Sequence, residues 1–336
     1  MKKTNAYIKS LLIAMLVMYV AMSGMGEAIG KEKPKPLRIT MAGYSVGGAS
    51  SVAGEAMGEA IKRMIPGSAF TYEPGRSGAN EVTVATGKTE VGLSHVWTTK
   101  SAMTGTAFYK KQYPNLRVIS YLHETSACAL FRKDAGITSL EQIKEQKFGI
   151  IAGFNTKYSV MEQLGRYTLE AYGITYEDIE RWGGKVHYLS TRPTFDLMRN
   201  KQAHGFLSAI TPPYGAINEL ATTVDLVMLP MSDEAIQYVA EKMGGGGKYI
   251  NKKEDYPRVL TQDVPTVGVP NVLITSAERP EEEVYWVTKA IYENLDYIHR
   301  AARQLSLMNK NTMAKKIGNL PLHPGAEKFY REIGAL

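Results

Sequence analysis

The sequence predicts an α/β fold of two domains, each a mostly parallel sheet flanked by helices. Three observations carry that expectation. The chain has 336 residues, room for about two domains of roughly 150 residues, each with its own core. Its composition, 44% hydrophobic and 22% charged, is that of a globular chain rather than a disordered one. Short β-type runs alternate along it with stretches of helical period, and small-residue loops recur after the strands.

The N-terminus stands apart from this pattern. Lys2, Lys3 and Lys9 precede an apolar run from Leu11 to Met22, and Ser23, Gly24, Gly26 and Ala28 follow. The run is shorter than the ~20 residues of a spanning helix and has the layout of a secretory signal peptide over 1–28. Cleavage is expected after Gly26 or Ala28, with an uncleaved anchor as the alternative. Export removes three Lys and one Glu and leaves 37 basic against 32 acidic residues. Residues 29–36, with Pro34 and Pro36, read as an extended tether. A mean hydropathy of −0.21 excludes a polytopic membrane protein, and a single cysteine, Cys128, excludes a disulfide scaffold or a Cys-rich metal site. The basic residues form no concentrated stripe, so no nucleic-acid partner is expected.

In the mature chain, Leu37–Met41 reads as a strand that ends in the glycine loop 43–48. Val52, Ala56, Met57, Ala60, Ile61 and Met64 then share one helix face, stopped by Pro66-Gly67. Ala69–Glu73, Glu90–Ser94, Leu116–Leu122 and Ala127–Arg132 are expected strands. Ser139 with Gln142 reads as a capping box. Phe148–Ala152 precedes the loop 153–156 and a helix through Met161, Leu164, Thr168 and Leu169. Val186–Leu189, Gly205–Ala209, Leu226–Leu229 and Val264–Thr275 are further strands, and Gly244–Gly247 a loop tip. Pro280 with Glu281, Glu282 and Glu283 opens a helix whose buried stripe is Val284, Val287, Ile291, Leu295 and Ile298.

Gly43-Tyr44-Ser45-Val46-Gly47 matches the G-x-S-x-G nucleophile elbow, which makes a secreted serine hydrolase the alternative function. Against it, the turn follows the first mature strand, and none of His95, His123, His187, His204, His299 and His323 has a recognisable acid partner. The same loop lacks a P-loop lysine. What it offers is backbone N–H groups and hydroxyls at a helix start, suited to an anion or zwitterion. The histidines show no metal-binding spacing and read as surface or capping residues; no metal or cofactor is expected. Trp97 and Phe154, each just after a strand, are candidates to wall a cleft.

Three stretches carry a family resemblance: Asp263-Val-Pro-Thr-Val-Gly-Val-Pro270, Val284-Tyr-Trp-Val-Thr-Lys-Ala290 and Pro321-Leu-His-Pro-Gly-Ala-Glu-Lys-Phe-Tyr-Arg-Glu-Ile-Gly334. With the loop 43–48, Gly78-Ala79-Asn80, Thr156 and Pro212-Pro213, they make the chain from Leu37 to Leu336 resemble the TAXI family, the extracytoplasmic solute-binding proteins of TRAP-type transporters. The resemblance implies a two-lobed, type II-like periplasmic binding protein and no chemical reaction. Crossovers near Cys128 and Val269 would make residues 37–127 plus 270–336 one lobe and 128–269 the other. The first loop is longer than usual for the family, and His204 stands where the family has an acidic residue.

The expected function is therefore a monomeric periplasmic or extracytoplasmic receptor. It would capture a small anionic or zwitterionic solute, an amino acid such as glutamate or glutamine or a dicarboxylate, and pass it to TRAP permease subunits. The expected ligand-binding residues are Gly47, Gly48, Ser50, Ser51, Arg76, Ser77, Asn80, Trp97, Asn155, Thr156, Pro213 and Thr266. Arg76, Lys157 and Arg192 are candidate counter-charges, with Arg76 preferred because its planar fork suits a carboxylate.

Overall fold

The structure, a computed structural model, describes residues 34–46 and 49–336. The expected signal peptide, residues 29–33 of the tether, and Gly47 and Gly48 lie outside the described residues. The unit Leu37–Leu336 carries every element that follows, and none of its helices is long and apolar enough to cross a membrane.

β1 (Arg38–Ala42) leads through the first loop into α1 (Ala49–Met64). β2 (Ala69–Glu73), α2 (Ala79–Ala85), β3 (Val91–His95) and α3 (Val96–Thr104) follow. β1 pairs in parallel with both β2 and β3. Along α1 the small and apolar residues Ala53, Ala56, Met57, Ala60 and Ile61 are buried, as helical periodicity requires. Val52 instead stands at the edge of that stripe, 46% exposed.

Two long strands organise the rest. β4 (Leu116–Arg132) joins the two segments that the sequence reads as separate strands. The intervening His123-Glu124-Thr125-Ser126 resembles a loop in composition, yet all four are buried; a long partner strand pairs with Glu124, Thr125 and Ser126 on one edge of β4, and the other edge of β4 is paired from Ser126 onward. Its first part pairs antiparallel with β10 (Val264–Ser276), from Leu116↔Ser276 to Ser126↔Gly268, and its second part pairs with β7 (Gly205–Ile210). β10 in turn pairs with β3 through Asn271–Thr275 and with β9 (Gly247–Asn251) through Val264–Gly268. The sequence reading missed β9, taking its first glycine as part of a loop tip.

The second half contains α4 (Leu140–Glu145), β5 (Ile151–Gly153), α5 (Val160–Ala171), α6 (Tyr176–Arg181), β6 (Lys185–His187) and α7 (Thr191–Arg199). After β7 come α8 (Gly215–Leu220), β8 (Leu226–Met228) and α9 (Asp233–Lys242). The main strand order is β2-β1-β3-β10-β4-β7-β5-β6. The sheet is thus mixed: parallel trios at its two ends, antiparallel pairing where β4 and β10 run through the middle.

Separate cores sit on the two halves. Met57 and Ile61 of α1 pack with Val287 and Ile291 of α10 (Glu281–Glu293) and Phe329 of α12 (Pro324–Glu332). Leu164 and Leu169 of α5 pack with Ile150, Phe154 and Val239, and the buried Cys128 joins Phe195 and Phe206 in a third cluster. Each such apolar side chain contributes about 1.5–3 kcal/mol on burial. Pro280 stands just before α10 rather than in its first turn. The expected single helix through Ile298 divides at Asn294, whose Nδ2 donates to the Ala290 carbonyl, and α11 (Leu295–Ala301) continues the stripe. At Ser139 half of the expected box forms: its hydroxyl caps Gln142 N, but the Gln142 side chain turns to Thr138.

One close approach sets the site. α5 crosses β7 at Gly165, where a Cβ would stand 2.2 Å from the Leu207 carbonyl oxygen. A larger residue there would lift α5, and with it the loop that precedes it.

Candidate ligand-binding cleft

A cleft of about 860 Å3 opens where the strand-end loops of the two halves meet. One half contributes Tyr44 and Ser45 after β1, Ser50 on α1, Gly75 to Ala79 after β2, and Phe108. The other contributes Asn155 to Met161 after β5 and Thr211 after β7. His95, His123, Thr125 and Asn271, from β3, β4 and β10, form the floor. Carboxyl ends of strands are where open α/β sheets present ligand sites.

The loop after β2 is fixed from behind. Asn80 is buried; its Oδ1 accepts from Arg76 N at 3.0 Å, and its Nδ2 donates to the carbonyls of Gly43 and Leu93 at 2.8 and 2.9 Å. The fully buried Glu81 accepts from Gly78 N at 2.8 Å and from the Ser94 hydroxyl at 2.5 Å. With its backbone held in this way, the loop presents Arg76 and Ser77 to the cleft. Among the described residues Arg76 has no ion-pair partner.

The loop after β5 carries two left-handed residues, Asn155 (φ 71°) and Tyr158 (φ 66°). Asparagine tolerates that region; tyrosine rarely adopts it. The Tyr158 turn is secured by its N–H, which donates to Glu162 at 3.0 Å, while Ser159 caps Glu162 N at 3.1 Å. Lys157 places its ammonium 5.2 and 5.3 Å from the ring centroids of Tyr158 and Tyr188, within cation–π range. The first turn of α5 also faces the cleft, through Ser159, Val160 and Met161.

The floor is polar, buried and uncharged. His95 Nδ1 lies 3.1 Å from the Tyr44 hydroxyl, while its Nε2 is buried with no partner among the described residues. Burial drives its pKa down to about 3 and that of His123 down to about 4, so both imidazoles are neutral near pH 7. Burial likewise holds the Tyr44 phenol well above its ordinary range. The β10–β4 register shifts between Pro270 and Val272. At this bulge, which re-aims a side chain, Asn271 sits opposite His95 and donates to Thr125 Oγ1 at 2.8 Å.

The structure thus gathers Ser50, Arg76, Ser77, Asn155 and Thr156 around one cleft, with Lys157 among them. Pro213 lines an adjoining cleft of about 410 Å3 that shares Asn155, Met161 and Thr211 with the first. Other expected contacts lie elsewhere. Asn80 is spent on backbone groups. Thr266 is buried and donates to the Ala127 carbonyl at 2.9 Å, between the two long strands. Trp97 lies behind Phe108 in a side recess, their centroids 6.0 Å apart. Ser51 is buried on α1 and Arg192 is exposed on α7, neither among the residues lining these clefts. Phe154 is a core residue stacked edge-on against Tyr176. Gly47 and Gly48 fall outside the described residues.

Sequence reasoning missed Tyr44, His95, His123, Thr125, Tyr158 and Asn271. His123 is neither the surface nor the capping residue expected; His95 does stand at the N-cap of α3, but buried and with its ring turned to Tyr44, and His323 caps α12, accepting from Gly325 N. Asn271 carried a legible signal, a lone amide inside the β-branched run 264–275. No hydrogen bond joins Ser45 to a histidine among the described residues, and no cluster of three metal-ligating side chains occurs among them.

Solved structures share this architecture at low sequence identity. A TctC solute binding protein from Polaromonas is 14% identical, with 90% of this chain and 99% of that chain covered at a TM-score of 0.52. MatC from Rhodopseudomonas palustris, solved with bound malate, is 14% identical over 89% and 97% of the two chains at 0.53. PhnD1 from Prochlorococcus marinus, in complex with methylphosphonate, is 12% identical over 90% and 100% at 0.54. At such identities the likeness establishes the fold, the two-lobed α/β architecture of periplasmic binding proteins. Family membership rests on the sequence itself: residues 41–334 match the NMT1-like family, and the chain belongs to it.

Proposed function

We propose that the protein is an extracytoplasmic solute-binding receptor that captures a small anionic or zwitterionic solute in the cleft and hands it, chemically unaltered, to a membrane permease. The observation that carries this is the convergence of strand-end loops from both halves on one cleft, with Arg76 and Lys157 at its rim. Residues 37–127 with 270–336 would form one lobe and 128–269 the other, hinged on β4 and β10. A solute touching both lobes only when they are shut selects the closed form by differential affinity. Ser50, Arg76, Ser77, Asn155, Thr156 and Lys157 are the contacts this reading assigns, joined by floor residues.

The similar structures support a solute receptor through their fold and through the malate and methylphosphonate that two of them hold. The stretches 263–270, 284–290 and 321–334 favour a TRAP permease of the TAXI type as the partner, and the basic, apolar-cored N-terminus favours export to the periplasm. A melting-shift screen over amino acids, dicarboxylates, keto acids and phosphonates tests the reading. One class should raise the melting temperature in proportion to RT ln(1 + [L]/Kd). A flat response across the screen, or turnover of an ester at Ser45, would replace it.

A further inference from the structure

The receptor reading leaves the kind of anion open, and the floor of the cleft narrows it. We propose that the His95 Nε2–H is a neutral donor subsite, and that the cleft selects organic anions bearing an uncharged oxygen acceptor over their amino-bearing counterparts; this rests on the receptor reading above.

His95 is 3% exposed, lines the cleft, and has an Nε2 that meets no protein group among the described residues. A buried polar atom without a partner is destabilising, and a ligand that reaches it recovers that cost. The hydrogen-bond pattern around Tyr44 decides whether this atom donates or accepts. A phenol is a stronger hydrogen-bond donor than an imidazole N–H, and an imidazole nitrogen a stronger acceptor than a phenol oxygen, so in the contact between Tyr44 and His95 the hydroxyl donates. Tyr44 keeps its own proton, and that proton needs an acceptor. His95 Nδ1, 3.1 Å away, provides it. Nδ1 is then unprotonated, Nε2 carries the hydrogen, and the ligand must offer a lone pair.

The lining supplies the second half of the argument. Among the described residues it contains Arg76 and Lys157 but no aspartate or glutamate. Glu81, whose charge Tyr44 feels, is fully buried and engaged by Gly78 N and the Ser94 hydroxyl. Glu162 is held by Tyr158 N, Tyr176 and Gln163 outside the main cleft. A ligand ammonium would therefore lose water and meet neutral imidazoles and cations, which is costly without a paired charge. A ketone, hydroxyl or amide oxygen in the same place would meet a donor.

Calorimetry on the intact protein tests this with matched triplets of plain acid, 2-oxo acid and 2-amino acid: propionate, pyruvate and alanine; glutarate, 2-oxoglutarate and glutamate; 4-methylvalerate, 4-methyl-2-oxovalerate and leucine. In a series that binds, the oxo acid should exceed the amino acid at least tenfold. His95→Phe should collapse the ratio of oxo-acid to plain-acid affinity toward one, whereas a purely structural role would weaken both acids alike and preserve the ratio. An amino acid that binds as tightly as its oxo partner overturns the proposal. Long-range 1H–15N spectra of histidine-labelled protein without ligand test the donor separately. The Nε2–H tautomer of His95 between pH 5 and 8 supports it, and the Nδ1–H tautomer overturns it even where no acid binds. Absence of binding by all nine acids with the Nε2–H tautomer present would instead count against a carboxylate receptor and leave the donor assignment supported.

Discussion

Asn80 Nδ2 donates to the Gly43 carbonyl at 2.8 Å and so ties the loop after β2 to the loop after β1. Its second proton goes to the Leu93 carbonyl and its oxygen holds Arg76 N, so one buried amide sets the spacing of three strand ends. Asn80→Leu should destabilise the protein by about 2–4 kcal/mol, the cost of stranding two or three buried backbone groups. It should also weaken solute binding, because Arg76 loses its anchor. Urea unfolding and calorimetry on the same preparation check both. Unchanged unfolding would show that water replaces the amide.

Arg76 is the opposite case, an exposed cation whose removal should matter for binding alone. Arg76→Ala should weaken an anionic solute by about ten- to a hundredfold, the loss of a charged hydrogen-bond partner. The unliganded melting temperature should move by no more than about 2 °C. Lys157→Ala should act in the same direction with a smaller effect, since a point charge on a flexible stem orients a carboxylate less well than a planar fork. Equal affinities in Arg76→Ala and the parent protein would take Arg76 out of the site.

Thr266, once expected in the binding wall, is a fastener of the two long strands. Its buried hydroxyl donates to the Ala127 carbonyl at 2.9 Å. Thr266→Val keeps the shape and removes the donor, so stability should fall by about 1–2 kcal/mol with solute affinity unchanged. A large loss of affinity at constant stability would return Thr266 to the cleft.

The buried histidines give stability a defined pH dependence. His95 and His123 have native pKa values pushed down to about 3 and about 4 by burial, below the ~6.5 of an unfolded histidine. Between those values the unfolded chain binds more protons, so stability rises with pH through this window. It is complete above about pH 7 and is lost as pH falls from 6.5 toward 4. At pH 5 each histidine should have withdrawn about 2 kcal/mol. Urea unfolding of His123→Gln at pH 7.5 and 5 should show a smaller fall than the parent protein by that amount. Parallel curves would mean that His123 is protonated in the native state.

The strand–helix alternation and most element boundaries were legible because local period and glycine-marked turns encode them directly. The strand-end loops were legible for the same reason, and Ser50, Arg76, Ser77, Asn155 and Thr156, read from those loops, line the cleft. The floor was not. His123-Glu124-Thr125-Ser126 looks like a polar loop until β7 and β10 pair on either side of β4, so its burial comes from long-range pairing that no local pattern records. Asn80 and Thr266 were misassigned on one ground: a polar residue beside a binding loop can face the ligand or brace the loop, and only the hydrogen-bond partners distinguish the two.

The G-x-S-x-G match at 43–47 shows how packing can imitate a catalytic turn. Gly43 is glycine because a Cβ there would stand 2.1 Å from the Tyr72 ring. That ring's hydroxyl accepts from Tyr44 N at 2.7 Å and so fixes the loop that bears Ser45. His95, the histidine bonded to this loop, gives its Nδ1 to Tyr44 rather than to Ser45. A serine without a base is a poor nucleophile, so the parent protein should remain unlabelled by a fluorophosphonate probe, and Ser45→Ala should unfold like the parent. Gly43→Ala should cost about 1–3 kcal/mol, as overpacking does, and should weaken solute binding by displacing Tyr44 and, through it, His95. Pairing Gly43→Ala with Tyr72→Phe, which keeps the ring but removes the hydroxyl, separates steric displacement from the lost hydrogen bond. Steric displacement predicts that the glycine variant is the more damaging of the two, and the reverse order would place the constraint in the Tyr72 hydroxyl.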